Sequence, residues 1–135
     1  MKSLLPIVIV LALATAYGLW YQRSRGKVVV KSDKGLITQE MIGAALGSRV
    51  TLVQFSSAFC SPCRATRMLL EDVTAEMSEV AYVEIDAEAN LELVRTLDIR
   101  STPTTLFLDR TGHEVGRAMG APKRDQVLSA ISAIR

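Results

Sequence analysis

The stretch that decides the fold reads Ser56-Ser57-Ala58-Phe59-Cys60-Ser61-Pro62-Cys63, and it directly follows the apolar run Val50-Thr51-Leu52-Val53-Gln54-Phe55. Residues 50–55 are rich in β-branched and apolar side chains, which predicts a buried strand. Proline is favoured in the first turn of a helix, and apolar residues recur at helical spacing as far as Met77. We therefore expect a strand, a turn holding two cysteines, and a helix from about Pro62 to Met77.

Cys60 and Cys63 are the only cysteines in the chain, and they lie three positions apart. A disulfide across so short a loop adds little stability, because loop-closure entropy grows with loop length. Two cysteines are also too few for a tetrahedral zinc site, and we interpret the single histidine, His113 beside Gly112, as a solvated turn residue. The pair is therefore predicted to be reactive, with no metal and no cofactor.

The position of each cysteine predicts its role. Cys60 precedes the helix, where unpaired amides and the positive end of the helix dipole favour a thiolate, so we expect it to be the nucleophile. Cys63 lies one turn further on the same face, where it can attack a mixed disulfide between Cys60 and a substrate. Arg64 and Arg67 add positive charge nearby, although we interpret them chiefly as solvated side chains in the first turns of the helix.

A second motif is Ser101-Thr102-Pro103-Thr104, which places a proline just before a predicted strand. Bonds before proline can be cis at modest cost, and a cis bond here would turn the Thr102 backbone towards a docked peptide. An ordinary trans turn is the alternative.

The rest of the chain predicts alternating strands and helices with a closing hairpin. The expected elements are a strand at 28–31, a helix capped by Thr38 over 41–46 and ended by Gly47, a strand at 80–85, a helix at 88–97, hairpin strands at 104–108 and 114–119, and a helix at 123–134. The alternation favours parallel pairing with right-handed crossovers.

The amino-terminal segment is apolar and free of charge from Ser3 to Gln22. Such a helix would rise about 30 Å, the thickness of the hydrocarbon core of a bilayer. Aromatic residues at its far end suit the headgroup layer. We expect residues 1–22 to be a transmembrane anchor that contacts lipid, 23–27 a basic juncture, and 28–135 a single domain. A cleavable signal peptide ending near Ala16 is the alternative.

The flanking charge bears on the side of the membrane. Lys2 alone precedes the span, and the cations that follow it are Arg23, Arg25, Lys27, Lys31 and Lys34. The positive-inside rule then favours a domain on the cytoplasmic face of a single-pass protein. An extracytoplasmic domain is the alternative, because many tethered proteins of this kind have one.

The motifs together resemble the thioredoxin family in order and spacing over residues 28–135. They are Thr51-Leu52-Val53-Gln54-Phe55, Phe59-Cys60-Ser61-Pro62-Cys63, Val83-Glu84-Ile85-Asp86, Thr102-Pro103-Thr104 and Gly120. The resemblance implies an α/β thioredoxin fold, a central mixed sheet flanked by helices. It also implies that Cys60 is exposed, that Cys63 is a buried resolving thiol, that Pro103 is cis, and that Thr102 and Gly120 line the substrate groove.

Three positions depart from the family pattern. Phe59 and Ser61 replace the usual tryptophan and glycine of the active-site motif, so the redox potential does not carry over. Gln54 occupies the position of a buried acid, and Tyr82 aligns with the lysine that often pairs with it. Glutamine cannot accept a proton, so deprotonation of Cys63 must use water or another group.

We therefore expect a membrane-tethered thiol–disulfide oxidoreductase of the protein-disulfide reductase type. Its partners would be protein or small-molecule disulfides and dithiols, and a redox donor such as a reductase. The net charge of +2, the pI near 8.7 and the aromatic content of 5% argue against nucleic-acid binding. Two alternatives stay open. One is a non-catalytic binding or chaperone module that uses the same groove, and the other is a Cu(I) carrier using both sulfurs.

Overall fold

The computed structural model describes residues 4–24, 27–29 and 35–135. In these ranges five helices and five strands follow one another as α1 (Leu4–Ser24), β1 (Val28–Val29), α2 (Gln39–Ile42), β2 (Val50–Ser56), α3 (Ser61–Ala75), β3 (Val80–Asp86), α4 (Leu91–Thr96), β4 (Thr104–Asp109), β5 (Glu114–Met119) and α5 (Arg124–Ala133). The strands form one mixed sheet in the order β1-β5-β4-β2-β3.

Strand β2 lies inside the sheet and carries the chain into the cysteine turn. All seven of its residues are buried, including the polar Thr51, Gln54 and Ser56 that stand among its apolar side chains. It pairs parallel with β3 and antiparallel with β4. Its side chains alternate between two cores: Val50 and Leu52 pack on the side of α3 and α5, and Val53 and Phe55 pack on the side of Ile42 and Leu97. The predicted α/β fold with a mixed sheet between helices is confirmed.

The carboxy-terminal elements agree closely with prediction. β4 and β5 form the expected antiparallel hairpin, and its turn closes through an N–H···O bond of 3.1 Å from Gly112 to Asp109. Helix α5 buries Val127 and Ile131 against the sheet. Helix α3 follows the predicted segment, beginning one residue earlier and ending two residues earlier.

Two helices are shorter than predicted. Helix α2 begins with the expected Thr38 cap but ends at Gly43, which is left-handed (φ 68°) and returns its N–H to the Gln39 carbonyl. A left-handed glycine terminates a helix at this point, so the predicted extent to Leu46 is wrong. Helix α4 begins only at Leu91, because the Asp86 carboxylate accepts the Glu88 N–H at 2.8 Å and holds a turn there.

The first strand differs from prediction in its partner. Parallel pairing holds for β2 and β3, but β1 pairs antiparallel with β5, with Val28 opposite Ala118. The alternation of strands and helices predicted parallel pairing, but β1 lies at the edge of the sheet opposite to β3. No crossover therefore joins β1 to a parallel neighbour. Residues 30 and 31 of the predicted strand lie outside the described residues.

Helix α1 spans 21 residues, none of them buried, and is long and apolar enough to cross a membrane. Length and composition alone make it a candidate span, and a signal sequence near an amino terminus passes the same test. Tyr17, Trp20 and Tyr21 cluster at its end, with ring centroids 6.0 and 6.2 Å from that of Tyr17. Of the flanking cations, Lys2, Arg25, Lys31 and Lys34 lie outside the described residues.

Candidate active site

The cysteines lie where β2 gives way to α3. Cys60 is the cap residue of the helix, in extended conformation, and its Sγ accepts the Cys63 backbone N–H at 3.2 Å. The two residues are joined by a disulfide of 2.05 Å. Cys63 is buried and Cys60 is partly exposed. The sulfur of Cys60 therefore receives a backbone donor at the positive end of a 15-residue helix.

The predicted groove residues come together beside this turn. The Thr102–Pro103 peptide bond is cis, as the resemblance implied. The Gly120 N–H donates to the Pro103 carbonyl at 2.8 Å, and Gly120 has a φ of 90°, a conformation that favours glycine. The hydroxyls of Ser57 and Thr102 lie 3.3 Å apart. Hydrogen bonds thus join Gly120, just beyond β5, to the loop that carries Pro103, and they join that loop to Ser57, which precedes Cys60.

Two neighbouring clefts make the cysteine turn and the proline loop accessible to solvent. One, of about 500 Å³, is lined by Phe59, Cys60 and Ser61 together with Arg64 and Arg67. The other, of about 520 Å³, contains the remaining motif residues. Its lining includes Pro62, Thr102, Pro103, Met119 and Gly120. Phe59 is 99% exposed, so its ring stands beside Cys60 in solvent.

Gln54 occupies the interior beneath the cysteines. It is fully buried, and its Nε2 donates to the Cys63 carbonyl at 2.9 Å. The Tyr82 hydroxyl donates to the Gln54 Oε1 at 2.6 Å. Burial first, and then the charge of Glu84, raise the pKa of Tyr82, so the phenol stays protonated and remains a donor. The amide of Gln54 therefore has a partner on both ends and no capacity to take a proton.

The network continues from Tyr82 to the surface through Glu84. The Glu84 carboxylate accepts from Arg67 and from the Ser56 hydroxyl, the latter at 3.0 Å. Burial acts to raise the pKa of Glu84, but the hydrogen bonds from Arg67 and Ser56 outweigh it and the pKa is lowered. Arg67 is consequently paired with Glu84, and both Arg64 and Arg67 are exposed on the cleft beside Cys60. Both arginines are therefore solvated, and Arg67 is in addition ion-paired.

This geometry agrees with the comparisons with known proteins. The family model described as Thioredoxin matches residues 37–133. The chain belongs to the thioredoxin family. It is similar to thioredoxin H2-1 of rice, with 30% identity over 88 residues, which are 65% of this chain and 62% of the rice protein. It is also similar to the thioredoxin of Chlamydia pneumoniae, with 30% identity over 97 residues that cover 72% of this chain and 94% of that protein.

A solved thioredoxin structure shows the same likeness. The thioredoxin of Fasciola hepatica superposes with a TM-score of 0.59 at 27% identity, covering 66% of this chain and 84% of that one. Family membership and the Cys60–Cys63 spacing support a thiol–disulfide oxidoreductase, a class that acts on protein disulfides and works with reductase partners.

The sequence did not single out several contacts that support the site. Ser57, which meets Thr102, carried no motif signal. The sequence indicated the pairing of Gln54 with Tyr82 only in part, because both residues depart from the family pattern. The other missed element is an ion pair between Glu114 and Arg117, both buried in β5. No pattern along a single strand reveals that two such charges face inwards together.

Across the described ranges 4–24, 27–29 and 35–135, no three side chains of the histidine, cysteine, aspartate and glutamate types come together to hold a metal ion. His113 is exposed in the β4–β5 turn, with its backbone N–H donating to the Asp109 carboxylate at 3.0 Å.

Proposed function

We propose that this chain is a membrane-tethered protein-disulfide reductase in which Cys60 attacks and Cys63 resolves. The observation that carries the proposal is the cap geometry, in which the Cys60 sulfur accepts the Cys63 N–H at the start of α3. A donor aimed at this sulfur favours its thiolate, which is the attacking species. The adjoining cis-proline cleft offers backbone to an extended peptide.

The reaction balances as two thiol–disulfide exchanges. The Cys60 thiolate attacks one sulfur of the substrate disulfide, forms a mixed disulfide and releases the other substrate sulfur as a thiolate. Cys63 then attacks Cys60, forms the Cys60–Cys63 disulfide and releases the second substrate sulfur. The substrate gains two electrons and two protons, and a donor dithiol on a reductase returns the pair to its reduced form.

The proton of Cys63 needs an acceptor other than Gln54. Gln54 donates to the Cys63 carbonyl, and Tyr82 remains protonated, so neither takes the proton. The substrate thiolate released in the first exchange is itself a base with an ordinary pKa of about 8.5. It is therefore the natural acceptor, with water as the second choice, and resolution should be slower than with a buried carboxylate.

The anchor and the side of the membrane belong to this proposal. Helix α1 would hold residues 28–135 at the bilayer through the juncture 23–27. Its basic flank favours the cytoplasmic face, and Arg23 and Lys27 are the described members of that flank. A reducing compartment there would keep the pair reduced and ready to act on oxidised proteins.

Trapping experiments test the roles of the two sulfurs. Cys63→Ser should accumulate a mixed disulfide with a partner, because the resolving thiol is gone, whereas Cys60→Ser should trap none. The readout is non-reducing electrophoresis after alkylation of membranes that contain the full chain. The Cys60→Ser/Cys63→Ser double variant is the matched control. Equal trapping by both single variants would overturn the assignment.

A second candidate function, a binding or chaperone module, is favoured by one observation, the neutral Gln54–Tyr82 pair beneath the cysteines. Such a module would hold unfolded partners in the same cleft without exchange. Insulin turbidity separates the two functions. A folded, reduced protein that fails to reduce insulin with a reductase system present would be a binding module, whereas precipitation of the insulin B chain supports the reductase.

A further inference from the structure

The tether enters the domain at the wall of the substrate cleft. Val28 pairs with Ala118 in β5, and the next two residues of the chain, Met119 at the end of β5 and Gly120 just beyond it, line the cleft beside Pro103. Helix α1 ends at Ser24, four residues before Val28. An extended chain spans at most about 3.6 Å per residue, so the end of α1 lies within about 14 Å of Val28.

The last turn of α1 contributes directly to the cleft. Gln22 and Ser24 line the same space of about 520 Å³ as Thr102 and Pro103. A second cleft, of about 440 Å³, joins Arg23 of α1 to Lys123 at the start of α5. The end of α1 thus lies beside the proline loop and beside the start of α5. The cis-proline cleft opens towards this end of the helix.

The depth of the cleft relative to a bilayer follows from the aromatic residues of α1. Tyr17, Trp20 and Tyr21 form one cluster, and such rings settle at the headgroup layer. Ser24 stands four residues beyond Trp20, a rise of about 6 Å. The cleft therefore opens just outside the headgroups. Met119 is 49% exposed on its rim, an apolar side chain suited to a peptide that emerges from a membrane.

We propose that the preferred substrate is a disulfide in the juxtamembrane segment of another protein that spans the same bilayer. This inference rests on the proposed function, and the exchange steps are those given above. In a partner that spans the same membrane, the residues next to the headgroups lie level with the cleft and can enter it. A freely diffusing protein must instead approach a cleft that α1 and the bilayer screen on one side.

The test uses the full chain in phosphatidylcholine liposomes, with thioredoxin reductase and NADPH as electron source. The probes are two synthetic single-span peptides that carry the same disulfide loop at both ends, so that either orientation is read. One peptide holds the loops directly beyond its span, and the other holds them beyond a flexible spacer of roughly 30 residues. We expect the near loop to be reduced about tenfold faster, because its effective concentration at the cleft is higher.

A tether variant provides the control. A flexible insert of roughly 20 residues placed immediately before Lys27 should remove the near-loop preference, while insulin reduction in the same liposomes is retained or rises, because the insert moves the cleft away from the bilayer that screens it. The same insert placed after Arg135 should preserve the preference. Equal rates for the two peptides, or a preference that survives the tether insert, would overturn this inference while leaving the reductase intact. Loss of insulin reduction in the unmodified chain would instead overturn the proposed function and this inference with it.

Discussion

The cysteine turn and the end of α4 each adjoin a buried polar cluster, and the two clusters differ in character. Beneath the cysteines, Gln54 donates to the Cys63 carbonyl and accepts from the Tyr82 hydroxyl, so neither member of this pair carries a formal charge. Where α4 ends, Glu114 and Arg117 form an ion pair through bonds of 2.5 and 2.8 Å, with side chains only 2% and 7% exposed. One cluster is a neutral pair that has the Glu84 carboxylate on its outer side, and the other is two desolvated charges.

The charged cluster acts on the backbone that leads to Pro103. Arg117 also donates to the carbonyls of Leu97 and Asp98, at 3.0 and 3.2 Å, where α4 ends. Carbonyls at a helix end lack intrahelical partners, and a cation is the favoured group there. Asp98 has a positive φ of 54°, so this end is a sharp turn. Arg117 therefore ties β5 to the loop that carries the cis-proline.

The neutral cluster has a different consequence, because it lies beneath the cysteine turn, where the proposed function requires a thiolate on Cys60. A buried carboxylate at position 54 would repel a thiolate on Cys60 and oppose its formation. Gln54 keeps the bond to the Cys63 carbonyl and removes that repulsion. Buried charge thus orders the backbone at the end of α4, whereas the pair directly beneath the cysteines is neutral, and the Glu84 carboxylate that Tyr82 also contacts is paired with Arg67.

The largest expected effect comes from breaking the charged cluster. Arg117→Met leaves Glu114 buried without a partner, and removal of one member of a buried pair costs about 3–5 kcal/mol. Urea denaturation monitored by circular dichroism measures the loss. Glu114→Leu/Arg117→Met, which removes both charges, should recover part of the stability. A single variant as stable as the double variant would contradict the view that desolvated charge dominates here.

A charge introduced into the neutral cluster should have an intermediate effect, chiefly on the thiol pKa and on the rate of the resolving step. Gln54→Asp should raise the pKa of the reduced Cys60 thiol by about one unit, because a carboxylate opposes the thiolate. It should also accelerate the resolving step by accepting the Cys63 proton. Ultraviolet absorbance of the thiolate gives the pKa, and rapid-quench kinetics gives the resolving rate.

Gln54→Asn is the matched control for that substitution, since asparagine has the size of aspartate without its charge. The thiol pKa and the resolving rate of this variant should stay near those of the unmodified chain. If Gln54→Asp left the resolving rate unaltered relative to Gln54→Asn, proton transfer from Cys63 would not limit turnover, whatever the shift in pKa.

The smallest effect is expected from trimming the neutral cluster. Tyr82→Phe deletes the hydroxyl that donates to Gln54 and leaves the buried Oε1 without that donor, which costs about 1 kcal/mol. The thiol pKa should change little because no charge is added or removed. Denaturation and thiolate absorbance measured on one sample test both parts. A loss as large as that of Arg117→Met would erase the distinction between the two clusters.

The sequence alone predicted most of the fold and the centre of the site. Periodicity located β2, α3, the β4–β5 hairpin and α5, because each pattern is contained in a short window. Periodicity predicted too long an α2, because the apolar pattern continues to Leu46 whereas the left-handed Gly43 terminates the helix. The cysteine pair, Pro103 and Gly120 were also identified in advance, although their roles remain predictions.

Tertiary structure decided what joins these parts. Tyr82 meets Gln54 only because β2 and β3 pair in one parallel register, and a slip of one residue would turn either side chain to the other face of the sheet. Arg117 reaches Leu97, and Val28 brings the end of helix α1 close to the cleft, through equally distant pairings. The sequence determined the cysteine pair and the candidate membrane span, since spacing and composition are local properties. Only the packed sheet decided the charge of each buried cluster and the place of the cleft beside helix α1, because these depend on contacts between remote segments.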